Sequence, residues 1–203
     1  MGSAVALSGS TVLISRPLAW PGAPSASGPL GTIYNYSLSG AETQPADILY
    51  GDAFGYATAV NGTTYLVGAP GHNDSIGAVY AYTRANNSTL TLQATLKAPG
   101  GQDGDCFGTA LAFNGTLLVV GAPYANNGTG AVYVYTLSSG SWSEPVEVMA
   151  GDGQVGVLAG GHGGSFSASG ADNTGTAVGL SSIAGRPVRW RQWCHSSRAA
   201  RAR

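Results

Sequence analysis

The densest acidic cluster in the chain is Asp103-Gly104-Asp105, two carboxylates on a glycine turn that could hold a weakly bound cation. The same Gly-Asp pair recurs at Gly51-Asp52 and Gly151-Asp152, which favours a capping role for the aspartate in a repeated turn. His72, His162 and His195 are scattered, and none stands in an order with Ser and Asp, or with Cys, that would build a nucleophile and its base. Gly160-Gly161-His162-Gly163-Gly164 is glycine-rich but precedes no helical pattern, so it does not read as a phosphate cradle. Cys106 and Cys194 could form a disulfide, and no CxxC or Cys/His grouping suggests zinc. Seven Asn-x-Ser/Thr sequons, at Asn35, Asn61, Asn73, Asn86, Asn87, Asn114 and Asn127, could carry glycans; a chain rich in Asn, Ser and Thr also makes them by composition alone. No catalytic set, metal site or cofactor is expected from these residues.

The composition points away from several classes. Of 203 residues, 43% are hydrophobic and only 9% charged, well under the usual quarter. Polarity comes from Gly, Ser, Thr and Asn, which suits an extracellular β protein. Six of the nine basic residues fall after position 185, where there is no Asp or Glu. The body is mildly acidic, and nothing in it suggests nucleic-acid binding. No apolar run is long enough for a transmembrane helix, so no membrane insertion is expected. No signal peptide is visible after Met1.

The elements that must position any site are set by an internal repeat. Phe54-Gly55 recurs as Phe107-Gly108, an offset of 53 residues. Asn61-Gly62 and Asn114-Gly115, Gly68-Ala69-Pro70 and Gly121-Ala122-Pro123, and Gly77-Ala78-Val79-Tyr80-Ala81-Tyr82 and Gly130-Ala131-Val132-Tyr133-Val134-Tyr135 all share that offset. An earlier, looser copy has Ser8-Gly9, Ser15-Arg16-Pro17 and, after a longer loop from Leu18 to Leu30, Gly31-Thr32-Ile33-Tyr34-Asn35-Tyr36. A fourth copy begins at Gly151-Asp152 and decays. The repeats therefore run over about 1–53, 54–106 and 107–153, with a degenerate one over 154–184; the basic remainder, 185–203, reads as a disordered tail or a gene-model artefact.

Each repeat reads as four strands, in the second copy Tyr56–Val60, Thr64–Ala69, Ala78–Thr83 and Leu90–Lys97. Asn61-Gly62 is a strong hairpin signal, with both residues tolerant of positive φ. Pro70, lacking an N–H, ends the second strand. The third strand is apolar on both faces, so both should be covered, as in a propeller blade. Antiparallel four-stranded units at a constant spacing predict an all-β fold, a partial β-propeller forming an open arc, ahead of a β-sandwich.

Phe-Gly, then Gly-Ala-Pro, then Gly-Ala-Val-Tyr-Val-Tyr resembles the FG-GAP repeat of integrin α-chain propellers, also found in secreted bacterial and algal proteins and in glycosylphosphatidylinositol-specific phospholipase D. The resemblance is strong over Gly51 to Gly151, partial over Met1 to Tyr50 and weak over Asp152 to Ala184. It implies structural roles for the motif residues Phe54, Gly55, Gly68, Ala69, Pro70, Phe107, Gly108, Gly121, Ala122 and Pro123, with the phenylalanines plugging gaps between blades and the glycines allowing close approach. Integrin blades that bind calcium carry a D-x-D/N-x-D/N-G loop between Phe-Gly and Gly-Ala-Pro. Here those intervals, Tyr56 to Val67 and Thr109 to Val120, hold no Asp or Glu, so the likeness implies the fold without the metal.

Ligand binding would fall to the loops after the second strands, Leu18–Leu30, Gly71–Ile76 and Tyr124–Thr129, with Trp20, His72 and Tyr124 as candidate contacts. The expected function is a non-catalytic extracellular or cell-surface binding or adhesion scaffold for a protein or glycan. The alternative is the accessory propeller of a larger secreted enzyme, phospholipase- or lyase-like. Further blades or self-association are expected as partners, because an arc leaves its end faces bare.

Overall fold

The computed structural model describes residues 4–17, 31–37, 40–42, 52–85 and 90–148. The long loop holding Trp20, the degenerate repeat over 154–184, the basic tail and Cys194 lie outside the described residues. Cys106 is disulfide-bonded.

The described chain is all-β, in three antiparallel meanders. The first sheet comprises β1 (Val5–Ser8), β2 (Thr11–Pro17), β3 (Gly31–Ser37) and β4 (Gly40–Glu42). The second comprises β5 (Thr58–Asn61), β6 (Thr64–Ala69), β7 (Ala78–Arg84) and β8 (Leu90–Leu96). The third has β9 (Ala110–Phe113), β10 (Leu117–Ala122) and β11 (Ala131–Ser138), and its outer strand is split into β12 (Ser141–Trp142) and β13 (Val146–Val148), both paired to β11. The first strands lie side by side, β1 by β5 and β5 by β9, so the sheets fan out from that edge as propeller blades do.

Turn chemistry explains why each repeat begins as a hairpin. The residues facing each other at the hairpin ends are Ser8 and Thr11, and Asn61 and Thr64. The corners are therefore Gly9-Ser10 and Gly62-Thr63, with Gly115-Thr116 in the third sheet. Only the glycine of each corner has positive φ: 56° at Gly9, 57° at Gly62 and 101° at Gly115. A glycine-first corner followed by an ordinary residue is the type II′ pattern. This corrects the expectation that Asn61 and Gly62 together form a turn with two left-handed residues. Asn61 instead ends the strand. In the third sheet Asn114 caps the corner, its Oδ1 accepting from the Thr116 and Leu117 amides at 3.0 and 2.8 Å. The first strand of the second repeat also starts later than expected, at Thr58. The Tyr56 amide is spent on the carbonyls of Ala53 and Gly68, at 3.1 and 3.2 Å, which keeps it out of the ladder.

The core forms between sheets. One cluster joins Ala6, Leu13 and Ile33 of the first sheet to Phe54, Val60, Tyr65, Val67, Tyr80 and Tyr82 of the second repeat. The other joins Ala59, Leu66, Val79 and Ala81 to Phe107, Phe113, Leu118, Val120, Tyr133 and Tyr135. Phe54 meets Tyr80 and Tyr82 edge-on at centroid distances of 5.5 and 6.5 Å, and Phe107 meets Tyr133 and Tyr135 at 5.4 and 6.2 Å. Both phenylalanines are fully buried. Aromatic pairs in this geometry add to the area they bury.

Glycine is required where the sheets touch. A Cβ on Gly68 would collide with the Gly108 carbonyl oxygen, and one on Gly77 with the Phe107 backbone. Gly77 and Phe107 form an isolated parallel bridge, and the amides of Cys106 and Phe107 donate to the carbonyls of Ser75 and Ile76 at 2.8 and 3.0 Å.

One residue works against this core. Asn35 has no exposure, and among the described residues neither its Oδ1 nor its Nδ2 has a hydrogen-bond partner. The matching positions of the other repeats are Ala81 and Val134. An unpaired buried amide loses its hydration without compensation.

The packing sets three expectations for stability. Phe107→Ala should cost about 3–5 kcal/mol in urea unfolding, as for a truncated buried aromatic, and Gly68→Ala should destabilise by forcing the backbones apart. Asn35→Val should instead raise stability by about 1–3 kcal/mol, the cost of an unsatisfied buried polar group. A neutral Phe107→Ala, or a destabilising Asn35→Val, would contradict the assigned packing.

Candidate functional site

Beyond each Gly-Ala-Pro the chain makes a short left-handed turn before the third strand. His72–Ser75 has φ of 51° at Asn73, 55° at Asp74 and 67° at Ser75. Ala125–Gly128 matches it, with 55° at Asn126, 59° at Asn127 and 88° at Gly128. Asn, Asp and Gly are the residues that reach this region most readily. The closing bonds repeat as well: the Gly77 amide donates to the His72 carbonyl and the Gly130 amide to the Ala125 carbonyl, each at 2.9 Å. Both turns are tied to the Gly-Asp segment before Phe-Gly, Gly71 N–H to the Asp52 carbonyl at 2.9 Å and Tyr124 N–H to the Asp105 carbonyl at 3.3 Å. Asn73, Asp74, Asn126 and Asn127 are left exposed.

In the second repeat this arrangement builds a polar cluster. His72 Nδ1 lies 2.8 Å from Asp52 Oδ2 and 3.2 Å from the Tyr80 hydroxyl. Burial, and then the Asp52 charge, push the Tyr80 hydroxyl up to about 12. That makes it a poor nucleophile or base near neutral pH. The cluster clips the aspartate segment, the turn and β7 together. Neither partner of His72 is adjacent to it in the sequence.

The third repeat has no such histidine, because Ala125 stands where His72 would. There Glu147 of β13 ties the turn to β11, without bonding to the aspartate: Asn126 Nδ2 donates to Glu147 Oε1 at 2.9 Å, and Tyr133 hydrogen-bonds to Glu147. Burial, then the charges of Glu147 and Asp105, raise the Tyr133 hydroxyl to about 12. Asp105 is itself held above the usual carboxylate range, chiefly by burial and also by the charges of Glu147 and Asp103. The Gln102 amide, donating to Asp105 Oδ2 at 2.8 Å, acts in the opposite direction.

The candidate contacts divide accordingly. Trp20 lies outside the described residues. His72 is half-buried in its clip. Tyr124 is half-buried at the start of its turn, and it contributes, after burial, to raising the hydroxyl of Tyr56. Of the motif residues, Phe54 and Phe107 sit inside the inter-sheet clusters, and Gly55 and Gly108 donate to the Gly68 and Gly121 carbonyls at 3.0 and 3.1 Å. Ala69 and Ala122 are buried, Pro70 is buried, and Pro123 is half-buried. An open groove of about 440 Å³ that no sequence motif signals lies between the outer strands of the second and third sheets, lined in part by Lys97, Tyr135, Trp142 and Glu144. The Trp142 ring leans on Phe113 at 5.8 Å, and its buried Nε1 has no partner among the described residues. Among the described residues, no group of three His, Cys, Asp or Glu could hold a metal ion, and no helix is long and apolar enough to cross a membrane.

Asp105 yields a test of the electrostatics. Its carboxyl is raised in the folded state, so the fold binds that proton more tightly than the unfolded chain does. The resulting stability is full at low pH and is lost as pH rises through the folded-state value. Asp105→Asn keeps an acceptor for the Gln102 amide and removes the charge. The variant should melt higher than the parent near neutral pH, and the gap should close in acid, below about pH 3, where the parent aspartate is protonated in both states. An advantage independent of pH would show that charge is not the cause.

Comparison with known families gives a match to the FG-GAP repeat at residues 42–82 and 90–135. A search of curated proteins finds no match to the chain.

Proposed function

We propose, on the premise that this chain carries FG-GAP repeats, that it is a non-catalytic scaffold that binds a protein or glycan outside the cell or at its surface. FG-GAP repeats are generally scaffolds for binding or adhesion, and the ligand and location are the further steps of this proposal. The observation that carries it is how the repeat uses its residues. Phe54, Phe107, Gly68 and Gly108 are consumed in the joints, while the exposed polar groups at the Gly-Ala-Pro end belong to the left-handed turns. Asn73, Asp74, Asn126 and Asn127 present amide and carboxylate groups there on a constrained backbone, flanked by His72 and Tyr124. Rigidly held hydrogen-bonding groups beside an aromatic ring suit a polar ligand, because little ordering is left for binding to impose.

The sequons fit this placement unevenly. Asn73, Asn114 and Asn127 are exposed, whereas Asn35 is wholly buried. When the chain is secreted from a glycosylating host, peptide mapping should find glycan at one or more of the three exposed sites and none at Asn35 in the folded fraction. Glycan on Asn35 in folded protein would contradict the first-sheet packing. Binding itself is tested by glycan-array and pull-down screening of the parent against Trp20→Ala and Tyr124→Ala. The expected outcome is at least a tenfold loss from one of them, about the 1.4 kcal/mol that an interface aromatic readily supplies. Undiminished binding by a Trp20→Ala/Tyr124→Ala double variant would remove the loops after the second strands as the binding surface.

A further inference from the structure

The three sheets use their two faces in a fixed order. The face of the second sheet that receives the first carries Val60, Tyr65, Val67, Tyr80 and Tyr82, and the matching face of the third sheet carries Phe113, Leu118, Val120, Tyr133 and Tyr135. The opposite face carries Ala6, Leu13 and Ile33 on the first sheet and Ala59, Leu66 and Val79 on the second, and it always packs on the aromatic-rich face of the next. The first may be called the leading face and the second the trailing face.

On the first sheet the leading face is apolar over two rows and partly open among the described residues, with Val5 and Leu7 exposed and Val12, Ile14, Tyr34 and Tyr36 half-buried. The strand registers place Val5, Ile14 and Tyr34 in one row and Leu7, Val12 and Tyr36 in the next. These rows align with the Val67–Tyr80 and Val60–Tyr65–Tyr82 pairings of the second sheet. Val5 is 56% exposed and Leu7 62%, and the two tyrosines stack at 6.4 Å. On the third sheet the trailing face carries Val119, Val132 and Val134, extended onto β13 by Val148 and Val146, which pair with Val132 and Val134. Val146 is 66% exposed and Val148 50%. Neither of these sets contains a charge, and the next row of the first sheet's leading face is Arg16–Thr32, where the second sheet has Ala69–Ala78. Contiguous apolar exposure on a sheet face marks an interaction surface.

We propose that these two faces bind each other between copies of this chain, the trailing face of one third sheet docking on the leading face of another copy's first sheet. The argument is equivalence. Val119 and Val132 stand where Leu66 and Val79 stand, and those two residues pack on a leading face within the same molecule. The occupant that fits a leading face is therefore a trailing face of this sequence, and the third sheet presents one. Such a contact joins unlike surfaces, so it propagates from copy to copy until a ring closes.

Light scattering and sedimentation velocity on the full chain, over a wide concentration range, test this with Leu7→Glu and Val146→Glu. Both positions are exposed, so each variant should keep the parent's circular dichroism and melting point; if either melts earlier, Leu7→Ser and Val146→Thr serve the same design. The parent should grow past a dimer as concentration rises. Each variant alone should stay monomeric, since one of its two faces is blocked. An equimolar mixture should form a dimer that goes no further, through the intact trailing face of the Leu7→Glu copy and the intact leading face of the Val146→Glu copy. A monomeric parent, a mixture that stays monomeric, or a Val146→Glu variant that still pairs with itself through two leading faces would each overturn the proposal.

Discussion

The structure depends on one close approach, the backbone of each Phe-Gly segment lying against the end of the preceding sheet. Ala53 and Cys106, just before the two phenylalanines, have φ of 52° and 56°, and Gly55 and Gly108 just after them have 89° and 91°. Non-glycine residues rarely take such values unless their surroundings impose them. Here they are imposed. At the second joint, hydrogen bonds from Cys106 and Phe107 to Ser75 and Ile76 fix the segment, and Gly68 and Gly77 leave no room for it to shift. The aromatic ring is then delivered into the space between sheets where the two tyrosines of the third strand await it. The glycines make the contact possible and the phenylalanine makes it favourable; neither would suffice without the other.

Much of this could be read from the sequence because a constant offset reports shared structure without any knowledge of dihedral angles. The strands of the second repeat, the pairing of hairpins and the order of landmarks needed only the spacing of Phe-Gly, Gly-Ala-Pro and the tyrosine strand. What resisted reading depends on backbone sign or on distance. Asn-Gly suggests two left-handed residues, yet the ladder continues through Asn61 and moves the corner one residue on. His72 looked isolated because its partners, Asp52 and Tyr80, arrive from either side of the hairpin. The split of the third sheet's outer strand follows from residues 143–145, where the Ser143 amide and hydroxyl bond back to Thr136 and Pro145 has no N–H to give the ladder. No periodicity announces such a break.

The first repeat shows how far the pattern can loosen while the sheet survives. Ser15 replaces the glycine of Gly-Ala-Pro, and its hydroxyl bonds to both the amide and the carbonyl of Ala4, at 3.1 and 3.3 Å, so a buried polar side chain there is satisfied. Asn35, equally buried, is not. The difference is local supply: Ser15 has the amide and carbonyl of Ala4 within reach, while Asn35 has no hydrogen-bond partner among the described residues.

The phase of the repeat bears on where function can reside. The stretch matched at 90–135 begins with β8, the outer strand of the second sheet, and ends within β11, the third strand of the next. The repeating unit therefore spans a joint instead of a sheet, and its strongest constraints are those that join neighbours. Comparing the two best copies position by position, the joint residues keep their identity: Phe54 and Phe107, Gly68 and Gly121, Gly77 and Gly130, Tyr80 and Tyr133. The turns after Gly-Ala-Pro do not, with Gly71 against Tyr124, His72 against Ala125 and Asp74 against Asn127. They retain only what the left-handed backbone demands. A scaffold whose joints are rigid and whose turns are free to vary can change its ligand without renegotiating its fold, because the groups that would touch a ligand carry little of the packing that holds the sheets together.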